Sequence, residues 1–296
     1  MDGVAGELAC FSFALLLLKR LNLERGEQPD FMNMLVCIKQ VPDTTEIRID
    51  PETGTLIRAG VPSIVNPYDT YALEVAARIK DEKGGRISVM TMGPPQAKEA
   101  LVECLGVGGD KAYLVSDRVF GGSDTLATSY ILSRAIAVVE EKEGKFDIIF
   151  CGKQAIDGDT AQVGPELAEH MDLPQVTYAV EAAAGDGVVV VKRENEDGYA
   201  MIEMDMPCLV TVTKPAFEPR LPTIKSKMAA KRAQIVNITS EDVEIDLAHC
   251  GLKGSPTKVK KTFTPEVKKG GIRVAEADGA ASGAKLVQLL AGAQII

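Results

Sequence analysis

Two stretches of the chain join a strand end to glycines, capping residues and a helical pattern, the arrangement that presents main-chain amides to an anion. In residues 152–170, GKQAIDGDTAQVGPELAEH, the apolar run FDIIFC leads into Asp157, Gly158, Asp159 and Thr160. Ala161, Gln162 and Val163 follow at the start of an amphipathic helix, and Gln162 can reach back from its first turn. The two carboxylates fit as loop-shaping caps or partners for sugar hydroxyls, which leaves the amides to face a phosphate. In residues 121–129, GGSDTLATS, Gly121 and Gly122 permit close backbone approach, and Ser123 or Asp124 caps a helix. Thr125, Thr128 and Ser129, spaced i, i+3 and i+4, set their hydroxyls on one face beside the positive helix end. That stripe suits a pyrophosphate or the polar edge of a flavin; capping with hydroxyls bonded back to the helix is the alternative. A third pair, Asn66 and Asp69 in NPYDTYALEVA, opens another helix with Pro67 at its first position. Asn66 reads as its N-cap, and the pair could also hydrogen-bond an adenine edge or ribose.

Other chemistry is excluded by what these stretches lack. Neither is a P-loop or a G-x-G-x-x-G fingerprint. Asp157 and Asp159 are too close in the chain to flank a scissile bond as paired carboxylates. His170 and His249 are the sole histidines and lie in no nucleophile motif, which leaves neither a histidine-rich metal site nor a serine triad. The six cysteines show no C-x-x-C; Cys37, Cys151 and Cys208 sit in apolar runs and read as reduced core thiols of a cytoplasmic protein. A net charge of −9 and the absence of tryptophan argue against nucleic acid as a partner.

The elements that must position these residues alternate. MLVCIKQV (34–41), RISVMTMG, KAYLVS and FDIIFC read as strands, and the segments between and after them as helices. EIRIDPETGTLIRAG (46–60) reads as a β-hairpin. The pattern predicts an α/β fold, a doubly wound and mostly parallel sheet of the adenine-nucleotide-binding, Rossmann-like kind. Ligands of such sheets lie outside the strands' carboxyl ends. After Pro174 the pattern becomes strands with glycine-rich turns, an antiparallel addition that runs to Lys214. Beyond it come Pro215, Pro219 and Pro222, a basic helical stretch, and a basic, weakly periodic tail that reads as an extended arm on a partner. The expected domains are an N-terminal extension over 1–33, a nucleotide-binding domain over 34–235, and a C-terminal arm over 236–296. The extension's apolar run is too short to span a bilayer and lacks a clear cleavage site, so no transmembrane segment is expected.

Taken together, VCIKQVPD, NPYDTYALEVA, GKQAIDGDTAQVGP and MPCLVTVTKPAFEPRLPTIKSKMAAK resemble the beta subunit of electron transfer flavoproteins, in order and spacing, from Met34 onward. The resemblance implies a heterodimer with an FAD-bearing alpha subunit, and in the beta subunit either AMP or, in electron-bifurcating members from anaerobes, a second FAD. DRVFGGSDTLATSYIL looks like the bifurcating type, so FAD is expected, with AMP as the alternative. The resemblance places the adenosine end near Cys37, Asn66, Asp69 and Met92 and the diphosphate on the amides of residues 157–163. The rest of FAD then runs along Gly122, Ser123, Asp124, Thr125, Thr128 and Ser129. It implies hydride transfer from NADH, with one electron passing through the alpha subunit to an acyl-CoA dehydrogenase-like flavoenzyme and the other to ferredoxin or flavodoxin. It also implies a recognition loop at about 215–228 that docks the dehydrogenase through Leu221. No side chain is expected to do acid–base work. A nucleotide-filled scaffold that supports the alpha subunit without NADH chemistry is the rival reading; a homodimeric stress-type nucleotide-binding protein is a weaker one.

Overall fold

The structure, a computed structural model, describes residues 31–43, 62–260 and 271–296. The hairpin expected over 46–60 and nearly all of the N-terminal extension lie outside the described residues. The strands are β1 (Met32–Cys37), β2 (Gln40–Pro42), β3 (Ser63–Val65), β4 (Gly85–Met92), β5 (Lys111–Val115), β6 (Ile148–Gly152), β7 (Gln175–Ala184), β8 (Val188–Asn195), β9 (Gly198–Asp205), β10 (Cys208–Val212) and β11 (Ile235–Ile238). The helices are α1 (Pro67–Lys83), α2 (Lys98–Val107), α3 (Thr125–Glu143), α4 (Val163–His170), α5 (Ile224–Ala230), α6 (Gly251–Gly254) and α7 (Gly279–Gly292).

Nine strands form one sheet in the order β11-β5-β4-β1-β6-β10-β7-β8-β9. Its pairings are parallel from β11 to β7 and antiparallel through β8 and β9. The chain builds outward from β1 through β4 and β5, then returns to add β6 on β1's other side. The topological switch point therefore lies between β1 and β6, where such sheets hold ligands.

Strand alternation divides the core. Met34 and Val36 of β1 join Leu73, Ile79 and Leu101 of α1 and α2 on one face. Leu35 and Cys37 join Ile131, Ile136 and Leu167 of α3 and α4 on the other. Ile131, Ile136 and Leu167 are fully buried, each worth about 1.5–3 kcal/mol of hydrophobic burial. These contacts hold the starts of α3 and α4 on one side of the sheet.

Three expectations change. The run 34–41 is two elements: β1 ends at Cys37, and β2 leaves the sheet to pair with β3. Cys208–Val212, expected in the antiparallel addition, instead inserts between β6 and β7 and is parallel to both. Its five residues are all buried, as a central strand requires, whereas β9 alternates between exposed and sheltered positions. The boundary drawn at residue 235 falls at the start of β11, which pairs with β5. The main unit runs on to Lys260; a smaller unit contains the described residues 271–296, in which α7 starts from an Asp278 cap accepting from the Ala281 amide at 2.7 Å.

Candidate functional site

The carboxyl ends of β1 and β6 are stitched together by Asp69. Its carboxylate accepts from the Lys39 amide at 2.6 Å, just past β1, and from the Gly152 amide at 3.1 Å, at the last residue of β6. Asp69 is 5% exposed. Burial pushes its carboxyl up to about 7, although bonds from Asn66, Lys39 and Gly152 pull the other way. Residue 152 must be glycine here, because a Cβ would lie 2.2 Å from Asp69 Oδ1. Asn66 stands at the N-cap position of α1 but makes no side-chain cap. Its Nδ2 donates to the Gln154 carbonyl at 2.8 Å and its Oδ1 accepts from the Ile156 amide at 3.1 Å. The expected pair of adenine-binding side chains is thus a pair of clamps that hold open the crevice in which they lie.

A cleft of about 950 Å³ opens over these strand ends, at the upper end of the range for ligand pockets of roughly 300–1,000 Å³. Cys37, Asp69, Cys151, Met92 and the loop before α4 all line it. In that loop the amides of Thr160, Ala161, Gln162, Val163 and Gly164 have no hydrogen-bond acceptor among the described residues. Asp159 (φ 56°) and Ala161 (φ 54°) are both left-handed. Such alternation curls successive amides into an anion-binding concavity, and left-handed backbone costs roughly 1–2 kcal/mol at a non-glycine residue. All five of the free amides belong to residues that line the cleft with Gly158. Asp157 and Asp159 do not line it: Asp157 pairs with Lys39 Nζ at 2.7 Å, and Asp159 accepts from Gln154 Nε2. Both shape the loop and keep their charge off the amides.

Helix α4 sits tightly against β10, since a Cβ on Gly164 would meet Thr211 Cγ2 at 2.6 Å. Gly164→Ala is expected to cost about 1–3 kcal/mol as the helix is pushed off the strand. Urea unfolding midpoints check this; an unchanged midpoint would mean that the helix accommodates the added methyl without moving.

The second helix start is less free than its sequence implies. Gly122, Ser123, Asp124, Thr125 and Thr128 line the cleft. Asp124 caps α3 through the Ala127 amide at 3.1 Å, and also accepts from the Thr257 amide and hydroxyl. Ser123 Oγ donates to the Phe120 carbonyl and accepts from the Gly251 amide. Thr125 Oγ1 lies 3.2 Å from Glu166 Oε1. Ser129 does not face the cleft: it is fully buried and donates to the Leu126 carbonyl at 2.9 Å. Of the expected hydroxyl stripe, Thr128 alone has no protein partner among the described residues.

The sequence reading passed over the cleft's cations. Lys39, Lys153 and Arg118 all line it, which gives an anionic ligand a positive rim on a protein of net charge −9. Lys153 Nζ sits 5.0 Å from the Tyr178 ring centre and makes no ion pair among the described residues. The available signal was position: Lys39 and Lys153 each follow a strand end.

Away from the cleft, Leu221 is 88% exposed between two prolines. The preceding Arg220 is anchored. Its amide and Nε reach Glu74 Oε2 at 3.0 and 2.8 Å, and Nη2 reaches Asp81 at 2.8 Å. Burial of Glu74 works against ionisation, but the Arg220 bonds prevail and hold its carboxyl below the usual range. Ile224 and Met228 of α5 are exposed beside the loop.

Fold and cleft together define a doubly wound α/β protein with a ligand site at its switch point. Residues 53–243 match the family model for the electron transfer flavoprotein domain. The chain is 53% identical over 244 residues to electron transfer flavoprotein subunit beta of Megasphaera elsdenii, covering 81% of this chain and 90% of that one. It is 50% identical over 241 residues to caffeyl-CoA reductase-Etf complex subunit CarD of Acetobacterium woodii, covering 81% and 90%. Identity to protein FixA of Sinorhizobium fredii is 46% over 238 residues, covering 79% and 84%. The chain belongs to the electron transfer flavoprotein family, and its type is the beta subunit.

Proposed function

We propose that the chain is the FAD-binding beta subunit of an electron-bifurcating electron transfer flavoprotein. The observation that carries this reading is the size of the cleft, about 950 Å³, with a lining that includes Cys37 and Met92, the free amides before α4, and Thr128 and Leu132 of α3; that volume lies at the upper end of ligand pockets and leaves room for a dinucleotide. The Cys37–Met92 end would take the adenosine, with Asn66 and Asp69 holding its walls. The amides of residues 160–164 would take the diphosphate, and Thr128 the chain beyond it. The bound flavin would supply acceptance of hydride from NADH and division of the electron pair between the alpha-subunit flavin and a ferredoxin or flavodoxin. The protein's own part is to orient, to neutralise phosphate charge with Lys153 and Arg118, and to hold the Asp157 and Asp159 carboxylates off the free amides. Leu221 would dock an acyl-CoA dehydrogenase-like flavoenzyme, and the chain beyond Lys260 would lie on the alpha subunit. The Acetobacterium relative, by name a subunit of a caffeyl-CoA reductase complex, supports a partner of that class.

One observation favours the alternative, a beta subunit that holds AMP and serves as scaffold: the hydroxyls of Ser123 and Ser129 already have partners within the protein. Flavin and adenylate counts on the purified alpha–beta complex separate the two. Two FAD per heterodimer are expected; one FAD with one AMP would remove the bifurcating reading and leave the family assignment intact.

A further inference from the structure

The cleft lining holds two thiols whose sulfur chemistry nucleotide binding does not call on. Cys37 and Cys151 end neighbouring parallel strands and are direct register partners across β1 and β6. Both side chains fall in the same core cluster, on the α3 and α4 face, and both line the cleft. Both are free thiols, 9% and 6% exposed, so a reagent reaches them through the cleft. Their hydrogen bond, together with burial, holds the Cys151 thiol well above its ordinary value. The other described cysteines differ. Cys104 and Cys208 lie in the opposite cluster, and Cys250 donates to the Asp246 carbonyl at 3.4 Å.

Two sulfurs fixed on adjacent strands form a chelate whose arms are already ordered, so a species that bonds both forfeits little conformational freedom. Soft thiol ligands select soft, thiophilic centres. We propose that Cys37 and Cys151 form a dithiol site for a trivalent arsenical, open when the cleft is empty and closed when a nucleotide occupies it. The closure clause rests on the nucleotide reading of the cleft; the dithiol itself does not. With phenylarsine oxide both S–H bonds break and two As–S bonds form. The arsenic oxygen leaves with both protons as water, and arsenic stays trivalent throughout, so no oxidant is required.

The test uses the full alpha–beta complex stripped of nucleotide and titrated with phenylarsine oxide. The difference between wild type and Cys37→Ser or Cys151→Ser cancels thiols contributed by the alpha subunit. Wild type is expected to bind one arsenical that excess dithiol removes and excess monothiol does not. Each variant should lose that monothiol-resistant binding, and Cys104→Ser should keep it. Cys37→Ala and Cys151→Ala repeat the comparison if serine disturbs the core. Monothiol-resistant binding that survives in both variants overturns the dithiol site. Adding AMP or FAD should block uptake in wild type. Uptake that stays cysteine-dependent but is indifferent to either nucleotide overturns the closure clause and, with it, the placement of nucleotide in this cleft.

Discussion

Asp69→Ala should destabilise the protein by up to roughly 2–6 kcal/mol, because two partly buried amides each lose their acceptor at no more than about 1–3 kcal/mol apiece. The amides are those of Lys39 and Gly152, so the loss falls where β1 and β6 part. Against a total stability of roughly 5–15 kcal/mol, urea midpoints will register it, and retained nucleotide should fall with them. Asp69→Asn makes the pH dependence visible. Burial raises the Asp69 carboxyl from 3.8 to about 7 in the folded state. A folded-state value above the unfolded one means that the contribution to stability is complete below pH 3.8 and is lost as pH rises through about 7. The stability difference, wild type minus Asp69→Asn, should therefore shrink as pH rises from 4 to 8. Carboxylates lowered in the fold, such as Glu74 and Glu143, work in the opposite sense but cancel in that difference. A difference that stays flat across the range would mean that Asp69 is ionised throughout.

Asp69 also shows where sequence reading stops. The strand–helix alternation was legible because β1, β4 and β6 are short, largely apolar runs and α1 and α3 carry apolar stripes, patterns set by local periodicity. Strand direction is not local. Cys208–Val212 shares its neighbourhood in sequence with β8 and β9, yet it crosses back to the centre of the sheet. Its sole local mark was continuous apolarity, against the alternation of β9. Side-chain roles were less legible still. Asn66 before a proline has every feature of a cap, but the loop after β6, ninety residues on, offers it better partners. Asp124 and Ser123 are occupied by the segment 251–257, which no spacing rule connects to them. The run of free amides before α4 was legible because glycines, caps and a helix start place main-chain amides by themselves.

Leu221→Ala should slow electron transfer to an acyl-CoA dehydrogenase-like partner by about 10–100-fold, the range of a docking hot spot worth roughly 1.4–2.8 kcal/mol. An exposed leucine alone would not justify that figure. Here the side chain is carried on a fixed loop: Pro219 and Pro222 restrict the backbone, and Arg220 ties it to the buried Glu74 and to Asp81. Little conformational freedom remains to be lost on docking, which is what makes an apolar knob effective. The anchor can be tested apart from the knob. Arg220→Lys keeps the charge but loses the forked contact, so it should weaken docking with Leu221 still in place. Combined with Leu221→Ala it should add less than its separate effect, since a loosened loop has no knob left to misplace. Neither change lies in the cleft, so flavin reduction by NADH should proceed at the wild-type rate. Stopped-flow traces of the two half-reactions check both points. Equal slowing of the two would place Leu221 in the electron path within the heterodimer and not at a partner surface.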